Sequence, residues 1–365
     1  MRRAYRVEVN YPSNKKRQFF LVKDVQFAGK HRKIKKYLSV EPESEREKAA
    51  LSSKYAAEME LRAAAKKAEL SLNSYTPEYL PKDTLLSVEK VRWIYNSVLE
   101  LSTSTEIEAY EEKFEVTYIQ GTTSIEGNTL TRAQAEDLLL HGVTPAGKEL
   151  REINEVQNFK KVVAYRNAYK RRVTVDFVRN LHALVMDNID LESAGKFRRR
   201  DDLGIRGCDL KVTPSVLIEQ ELEEIIAEYY RGLEAESHPF ELAAIFHYRF
   251  EMIHPFTDGN GRVGREVLNY MLTRTHYPRL LFLGRDRSRY IRALKSGNEE
   301  NYAEMVSAFA NLIIEQRLEI LEERLQATAS GVRRVGQTRL TDFVTAAGRP
   351  REPETGSANA EVLNA

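Results

Sequence analysis

The chain has 365 residues, 42% hydrophobic and 30% charged, with a formal net charge of +2 at pH 7, so it can bury a substantial core, with one large domain and a smaller one as the natural division. The lone Cys208 excludes an internal disulfide and fits a reducing compartment, while the near-neutral charge does not by itself imply nucleic acid. No apolar run follows Met1-Arg2-Arg3 and no uninterrupted apolar stretch is long enough to span a bilayer, so a soluble cytoplasmic protein with no membrane partner is expected.

Residues 1–40 read as a small basic β-module. From Met1 to Leu38, twelve basic residues from Arg2 to Lys36 outnumber Glu8 and Asp24. Alternation in Tyr5–Tyr11 and Phe19–Phe27 predicts strands, with Pro12–Lys16 as the turn. Such a module could contact a nucleic-acid backbone, but charged outer faces are common on tiny sheets. Residues 41–82 follow as a charged helix and linker. Glu43–Leu70, rich in Ala, Glu and Lys, reads as a long solvated helix, and Ser71–Pro81 as the linker, punctuated by Pro77 and Pro81. From Leu85 to about Gln326 the pattern is mainly helical.

Several segments inside that region carry more than helix propensity. Thr122-Thr-Ser-Ile-Glu126-Gly-Asn128 fits a helix C-terminus with Gly127 as its cap, and Thr131–Gln134 makes a capping box for the next helix. Gly195–Arg198, Leu203–Gly207 and Leu210–Pro214 fit a short hairpin. In Glu241–Ile253, Leu242, Phe246, Phe250 and Ile253 recur at helical spacing, and Pro255 ends the helix. His254 therefore stands at the rim of a buried helix, facing a cleft; His247, two turns earlier, reads as a packed residue without a role. Gly259 and Gly261 let the backbone turn and approach a ligand closely. A second helix begins near Gly261 or Arg262, with Val263, Val267 and Met271 as its inward stripe. Its glycine-fed start offers free N–H groups to a phosphate. Arg262 and Arg265, three apart, can point at one anion, and Asp258 can hold Mg²⁺, which takes one or two carboxylates plus substrate phosphates. Two turn-forming dipeptides are the bland alternative for Asp258–Gly261, but they leave His254 and both arginines unexplained. A calcium loop fails on Arg262 and Val263, and neither a Walker lysine motif nor a dinucleotide fingerprint occurs.

The run His254-Pro-Phe-Thr-Asp258-Gly259-Asn260-Gly261-Arg262-Val-Gly-Arg265 resembles the signature of the Fic (Fido) family, His-x-Phe-x-Asp/Glu-Gly-Asn-Gly-Arg-x-x-Arg, at every specified position. The resemblance implies a mainly α fold: a helical core with a β-hairpin flap. It covers residues 83–326, with an inhibitory helix near 110–128 and the catalytic core at about 173–313. It also implies transfer of AMP from ATP to a Ser, Thr or Tyr hydroxyl of a protein. His254 would be the base, Asp258 the Mg²⁺ ligand, and the glycine loop with Asn260 the cradle for the α- and β-phosphates. Arg262 would hold the β-phosphate and Arg265 the γ-phosphate. Thr122–Asn128 resembles the family's inhibitory motif, Ser/Thr-x-x-x-Glu-Gly/Asn, in which Glu126 would pair with Arg265 and switch the enzyme off. Gly195–Pro214 looks like the flap that aligns the target segment. Tyr290–Asn298 resembles the adenosine-binding stretch, with Asn298 on the base or ribose, although Ile291 stands where relatives often have a second tyrosine beside Tyr290.

Beyond Ala327 the chain is small and polar, and residues 327–365 are expected to be a disordered tail. Within it, Gln337, Leu340, Phe343 and Val344 are spaced like the peptide by which replication enzymes dock on a sliding clamp, with Val344 replacing an aromatic. The partners expected are a protein with a hydroxyl side chain, with a homodimer and a clamp left open. Two functions stand behind a self-restrained AMP transferase. One is a Fic-type enzyme using another nucleotide or phosphate donor, or removing AMP; the other is a DNA- or clamp-associated adaptor.

Overall fold

The computed structural model describes residues 5–13, 16–201, 212–298 and 301–330. Most of the flap segment and the clamp-like Gln337–Val344 lie outside them, as does the side chain of Asn298. The described part is mainly helical, with one small sheet at its N-terminal end.

That sheet is antiparallel, in the order β1 (Arg6–Asn10), β2 (Gln18–Phe27), β3 (Lys30–Leu38). Phe27 pairs with Lys30 across a two-residue turn in which Ala28 and Gly29 both have positive φ, 45° and 72°, matching the right-handed twist of the strands. The third strand was not expected from the sequence. Its Lys- and Arg-rich run hides two inward apolar residues, Ile34 and Leu38, and its cations are partly neutralised: Lys33 and Lys35 both reach Glu8, and Lys36 reaches Glu58.

The helix α1 (Glu45–Leu72) is not solvated. It lies across the sheet, and Ala56, Met59 and Ala63 share a core with Tyr5, Leu21, Val25 and Ile34. A stripe built mostly of alanine carries little hydrophobic signal, which explains the misreading, yet small side chains let helix and sheet approach closely. The segment before α2 (Lys82–Leu101) is pinned by the buried Glu241 carboxylate, which accepts from the N–H groups of Glu78, Tyr79 and Leu80 at 2.7–3.0 Å.

Then come α3 (Ser104–Ser124), α4 (Arg132–Glu136) running into a π-helical turn, α5 (Leu150–Ala168) and α6 (Val175–Val185). They are followed by α7 (Ile218–Glu234), α8 (Pro239–Ile253), α9 (Asn260–Arg274), α10 (Arg287–Asn298) and α11 (Tyr302–Ser330). The Thr131–Gln134 capping box is formed. Helices α8 and α9 form the buried centre: all of α9 from Asn260 to Leu272 is buried except Gly261. The crossing is close because Gly264 has no side chain; a Cβ there would stand 2.5 Å from the Glu251 carboxylate and 2.8 Å from the Phe250 ring. Similarly, Gly121 on α3 lets that helix pack onto the Phe282 carbonyl, 2.5 Å from where a Cβ would sit. The C-terminal end of α3 meets the first turns of α9, where Arg265 bonds Thr122.

Candidate active site

Helix α8 ends at His254, whose backbone adopts the left-handed conformation (φ 48°, ψ 60°) while its N–H still donates to the Phe250 carbonyl at 3.1 Å. A non-glycine residue there is strained, and Arg198 holds it. The buried Arg198 guanidinium donates to the carbonyls of His254 (2.7 Å), Ile253 (3.2 Å) and Thr213, and its backbone N–H donates to Pro255. The cation thus satisfies orphan carbonyls at the negative end of α8. Among the described residues the buried imidazole Nδ1 makes no well-formed hydrogen bond. Burial pushes the ring down to about 4, opposed by the Glu251 carbonyl and assisted by Arg198, so His254 is neutral and able to accept a proton at physiological pH.

The loop from Pro255 to Gly259 is shaped by two side chains of different origin. Asn260 accepts from the Phe256 N–H at 2.8 Å and donates to the Phe256 carbonyl at 2.7 Å. The amide expected among the phosphate ligands is therefore committed to closing the loop, and it is buried. His182 of α6 accepts from the Gly195 N–H at 2.9 Å and bonds the Asp258 carbonyl at 3.0 Å, its ring stacked on Phe256 at 3.7 Å. Accepting at Nδ1 leaves Nε2–H as the donor to Asp258, and burial pushes this ring to about 4, so one neutral tautomer fits both bonds. Gly259 turns the chain into α9 at φ 78°. Among the described residues the N–H groups of Asn260, Gly261 and Arg262 make no backbone hydrogen bond, and with the helix dipole they form an anion cradle.

Two buried arginines flank the cradle, pointing to different partners. Arg262 contacts Asp258 at 3.1 Å and Glu155 at 3.3 Å. Arg265, fully buried, donates through Nε to the Thr122 hydroxyl and through Nη2 to the Thr122 carbonyl and the Glu126 carboxylate, each at 2.8 Å; among the described residues its Nη1 has no hydrogen-bond partner. Burial works against the charge, but Glu126, Tyr290 and Glu251 together outweigh it and Arg265 stays cationic. The Glu126 carboxylate also occupies the space beside Gly261, where a Cβ would stand 2.3 Å from it and 2.8 Å from Arg265 Nη1. The first anion at this cradle is thus the protein's own glutamate. Its loop is held from both sides: Arg287 donates to the Ile125 carbonyl at 3.1 Å, and Asn128 donates to Glu155 at 2.9 Å.

Asp258 is 44% exposed and faces outward, where Arg151, 53% exposed, pairs with it. Burial raises its pKa, but Arg262, the Gly259 N–H and Arg151 together hold the carboxyl below its usual range. Among the described residues there is no cluster of three or more His, Cys, Asp or Glu to bind a metal unaided. A cation that takes one carboxylate and completes its shell with phosphate and water fits Asp258 once the exposed Arg151 swings away.

Tyr290, expected near adenosine, is buried behind Arg265. Its hydroxyl meets His247 at 2.9 Å, and the Arg265 guanidinium lies 5.6 Å from its ring. Sequence reasoning missed Arg198, His182, Arg151 and Glu251. Glu251, one turn before His254 on α8, is buried with no hydrogen-bond partner for Oε1 among the described residues, and burial pushes it up to about 8.

Residues 172–272 match the model of the Fic/DOC family. Protein adenylyltransferase Fic of Drosophila ananassae is 33% identical over 201 residues, which are 53% of this chain and 39% of the relative. Protein adenylyltransferase fic-1 of Caenorhabditis briggsae is 30% identical over 220 residues, 58% of this chain and 42% of the relative. The chain spans less than half the length of these relatives. In fold, it resembles a Fic-domain signalling protein from Bacteroides thetaiotaomicron (TM-score 0.58, 22% identity, 66% of this chain and 98% of that one). It also resembles Fic-1 from Caenorhabditis elegans (TM-score 0.56, 23% identity, 78% of this chain and 86% of that one). Residues 172–272 therefore match a Fic/DOC domain, and the chain is related at about 30% identity to the protein adenylyltransferases Fic.

Proposed function

We propose that this protein is an adenylyltransferase that moves AMP from ATP to a Ser, Thr or Tyr hydroxyl of a protein, and that Glu126 restrains it. The observation that carries this reading is that a neutral imidazole, a cradle of free N–H groups and a buried arginine lie along one loop and helix start, with a carboxylate seated at the cradle. His254 takes the proton from the attacking hydroxyl. The hydroxyl oxygen bonds to the α-phosphorus, the bond from that phosphorus to the β-phosphate oxygen breaks, and pyrophosphate leaves. The N–H groups at the start of α9 hold the phosphates, with Arg262 on the β-phosphate and Arg265 on the γ-phosphate. Mg²⁺, held by Asp258, supplies charge neutralisation on the phosphates when bound.

Restraint follows from exclusion. Arg265 cannot offer the same N–H to Glu126 and to a γ-phosphate, so nucleotide seated beside Glu126 takes a pose unfit for in-line attack. Incubating Glu126→Gly protein with ATP, GTP, CTP and UTP and weighing it intact tests both parts. Mass gain from ATP that is faster than in wild type and absent in Glu126→Gly/His254→Ala supports the reading. Equal labelling with and without His254 overturns the base assignment, and equal rates with and without Glu126 overturn the restraint.

A further inference from the structure

The far end of α9 carries a second candidate site. A cavity of about 290 Å³ lies between the loop before α6, the C-terminal half of α7 and the last turn of α9. Helix α9 separates it from the cradle by 14 residues, or roughly 20 Å at the helical rise. We propose that this cavity binds a nucleoside phosphate, its phosphate on Arg171 and Arg274 and its base against the rings of Tyr229, Tyr230 and Tyr270.

Charge and ring chemistry carry the proposal. Three arginines line the cavity against one carboxylate, Glu234. Arg172 accounts for that carboxylate, at 3.1 Å, and lies over the Tyr230 ring at 4.7 Å. The exposed Arg171 and Arg274 make no ion pair among the described residues, so two guanidiniums stand uncompensated at one mouth, an arrangement that suits a phosphate. Two of the rings are fixed in place: Tyr230 accepts from the Val173 N–H at 2.6 Å, and Tyr270 donates to the Arg171 carbonyl at 2.7 Å. Tyr229 differs. It is only 4% exposed and lines the cavity, yet its hydroxyl has no hydrogen bond among the described residues. That hydroxyl is not sealed from solvent, so it is open to a ligand entering the cavity. Tyrosine ring edges and an open hydroxyl beside a cationic rim suit a base carrying an anion better than a bare ion. The volume is near the lower limit for small-molecule pockets, about 300 Å³, which favours a mononucleotide.

The proposal is independent of the transferase reading, and its test localises binding directly. The full chain is photolabelled with 8-azido-AMP and the labelled peptides are mapped by mass spectrometry, with AMP, adenosine and inorganic phosphate as competitors. Label is expected on peptides carrying Tyr229–Tyr230 or Tyr270. Arg171→Ala/Arg274→Ala should weaken it tenfold or more, the effect of losing charge-assisted bonds to phosphate, with circular dichroism unchanged because both residues are exposed. Tyr229→Phe, which keeps the ring and the packing, should reduce labelling severalfold. Absence of label on these peptides, or label indifferent to the arginine pair, overturns the site. Competition by inorganic phosphate as strong as by AMP overturns the nucleoside part and leaves a simple anion patch.

Discussion

Replacing Glu126 by alanine tests the proposed restraint without measuring catalysis. Arg265 is fully buried and has three acceptors at 2.8 Å: the Thr122 hydroxyl, the Thr122 carbonyl and Glu126. Removing the only ionised one takes away a charge-assisted bond, about 1.5–3 kcal/mol when buried. The Glu126 side chain is 38% exposed, and screening reduces the expected loss to about 1–2 kcal/mol. The unliganded variant should therefore melt about 1–3 °C below wild type. Nucleotide inverts the ranking. In wild type a γ-phosphate must displace Glu126 and forfeit that same bond, whereas in the variant Arg265 is already open. ATP should bind the variant about 5–30-fold tighter, the ratio matching 1–2 kcal/mol, and raise its melting temperature by more than that of wild type. Scanning calorimetry with and without ATP reads both halves. A variant that melts with wild type, and gains no more from ATP, would show that the pair neither stabilises Arg265 nor competes with phosphate.

Gly261→Ala should disturb the same contact from the other side, since its Cβ would lie 2.3 Å from the Glu126 carboxylate. In a double-mutant cycle with Glu126→Ala the two losses should be less than additive by about 1 kcal/mol, and strict additivity in urea melts counts against a shared contact. Stability should peak near pH 6.5, for reasons of opposite sign. Burial drives His182, His247 and His254 from 6.5 to about 4, 3 and 4, so their contribution is present above 6.5 and lost as pH falls towards those values. Glu251, raised by burial from 4.5 to about 8, keeps a proton in the folded state that the unfolded chain gives up, so its contribution is lost as pH rises from 4.5 to 8. Glu251→Gln should flatten the decline between pH 6.5 and 8, and an unchanged slope there in urea titrations would exclude Glu251 as its source. Arg151→Ala should lower the Mg²⁺ concentration for half-maximal transfer roughly threefold to tenfold by removing an exposed competitor for Asp258; a Mg²⁺ titration showing no change would separate Asp258 from the metal.

The parts of the site legible in the sequence are those whose geometry is local. His254, Gly259 and Arg265 fall within one helix end, one turn and one helix start, and periodicity with the Pro255 stop placed all three. What escaped depends on partners distant in the chain. Arg198 acts on a carbonyl 56 residues away and His182 on one 76 residues away, and a residue that bonds main chain leaves no mark on its partner's identity. Asn260 shows a related limit: its side-chain amide is spent on Phe256, four residues back, and residue type alone does not say which way a side chain turns. In the N-terminal module the obstacle was composition. Lys and Arg mask the two inward residues of β3, and alanine hides the packed stripe of α1, so hydrophobic patterning misses elements whose apolar side is thin or made of small side chains.

Burial explains why a single arginine can serve both fold and control. A guanidinium with no exposed surface cannot fall back on water, so Arg265 needs an anionic partner from the protein or from a ligand. Gly261 leaves room for one such group, and α3 is packed tightly enough, through Gly121, for its loop to reach that space. The proposed off state is therefore the one that satisfies Arg265 in the absence of nucleotide, and opening it requires a replacement anion. On this logic a Glu126→Gln variant should lie between wild type and Glu126→Ala in ATP affinity, because a neutral amide can still accept from Arg265 but yields more readily to phosphate. Affinity equal to that of wild type would mean that shape alone, and not charge, keeps the site closed.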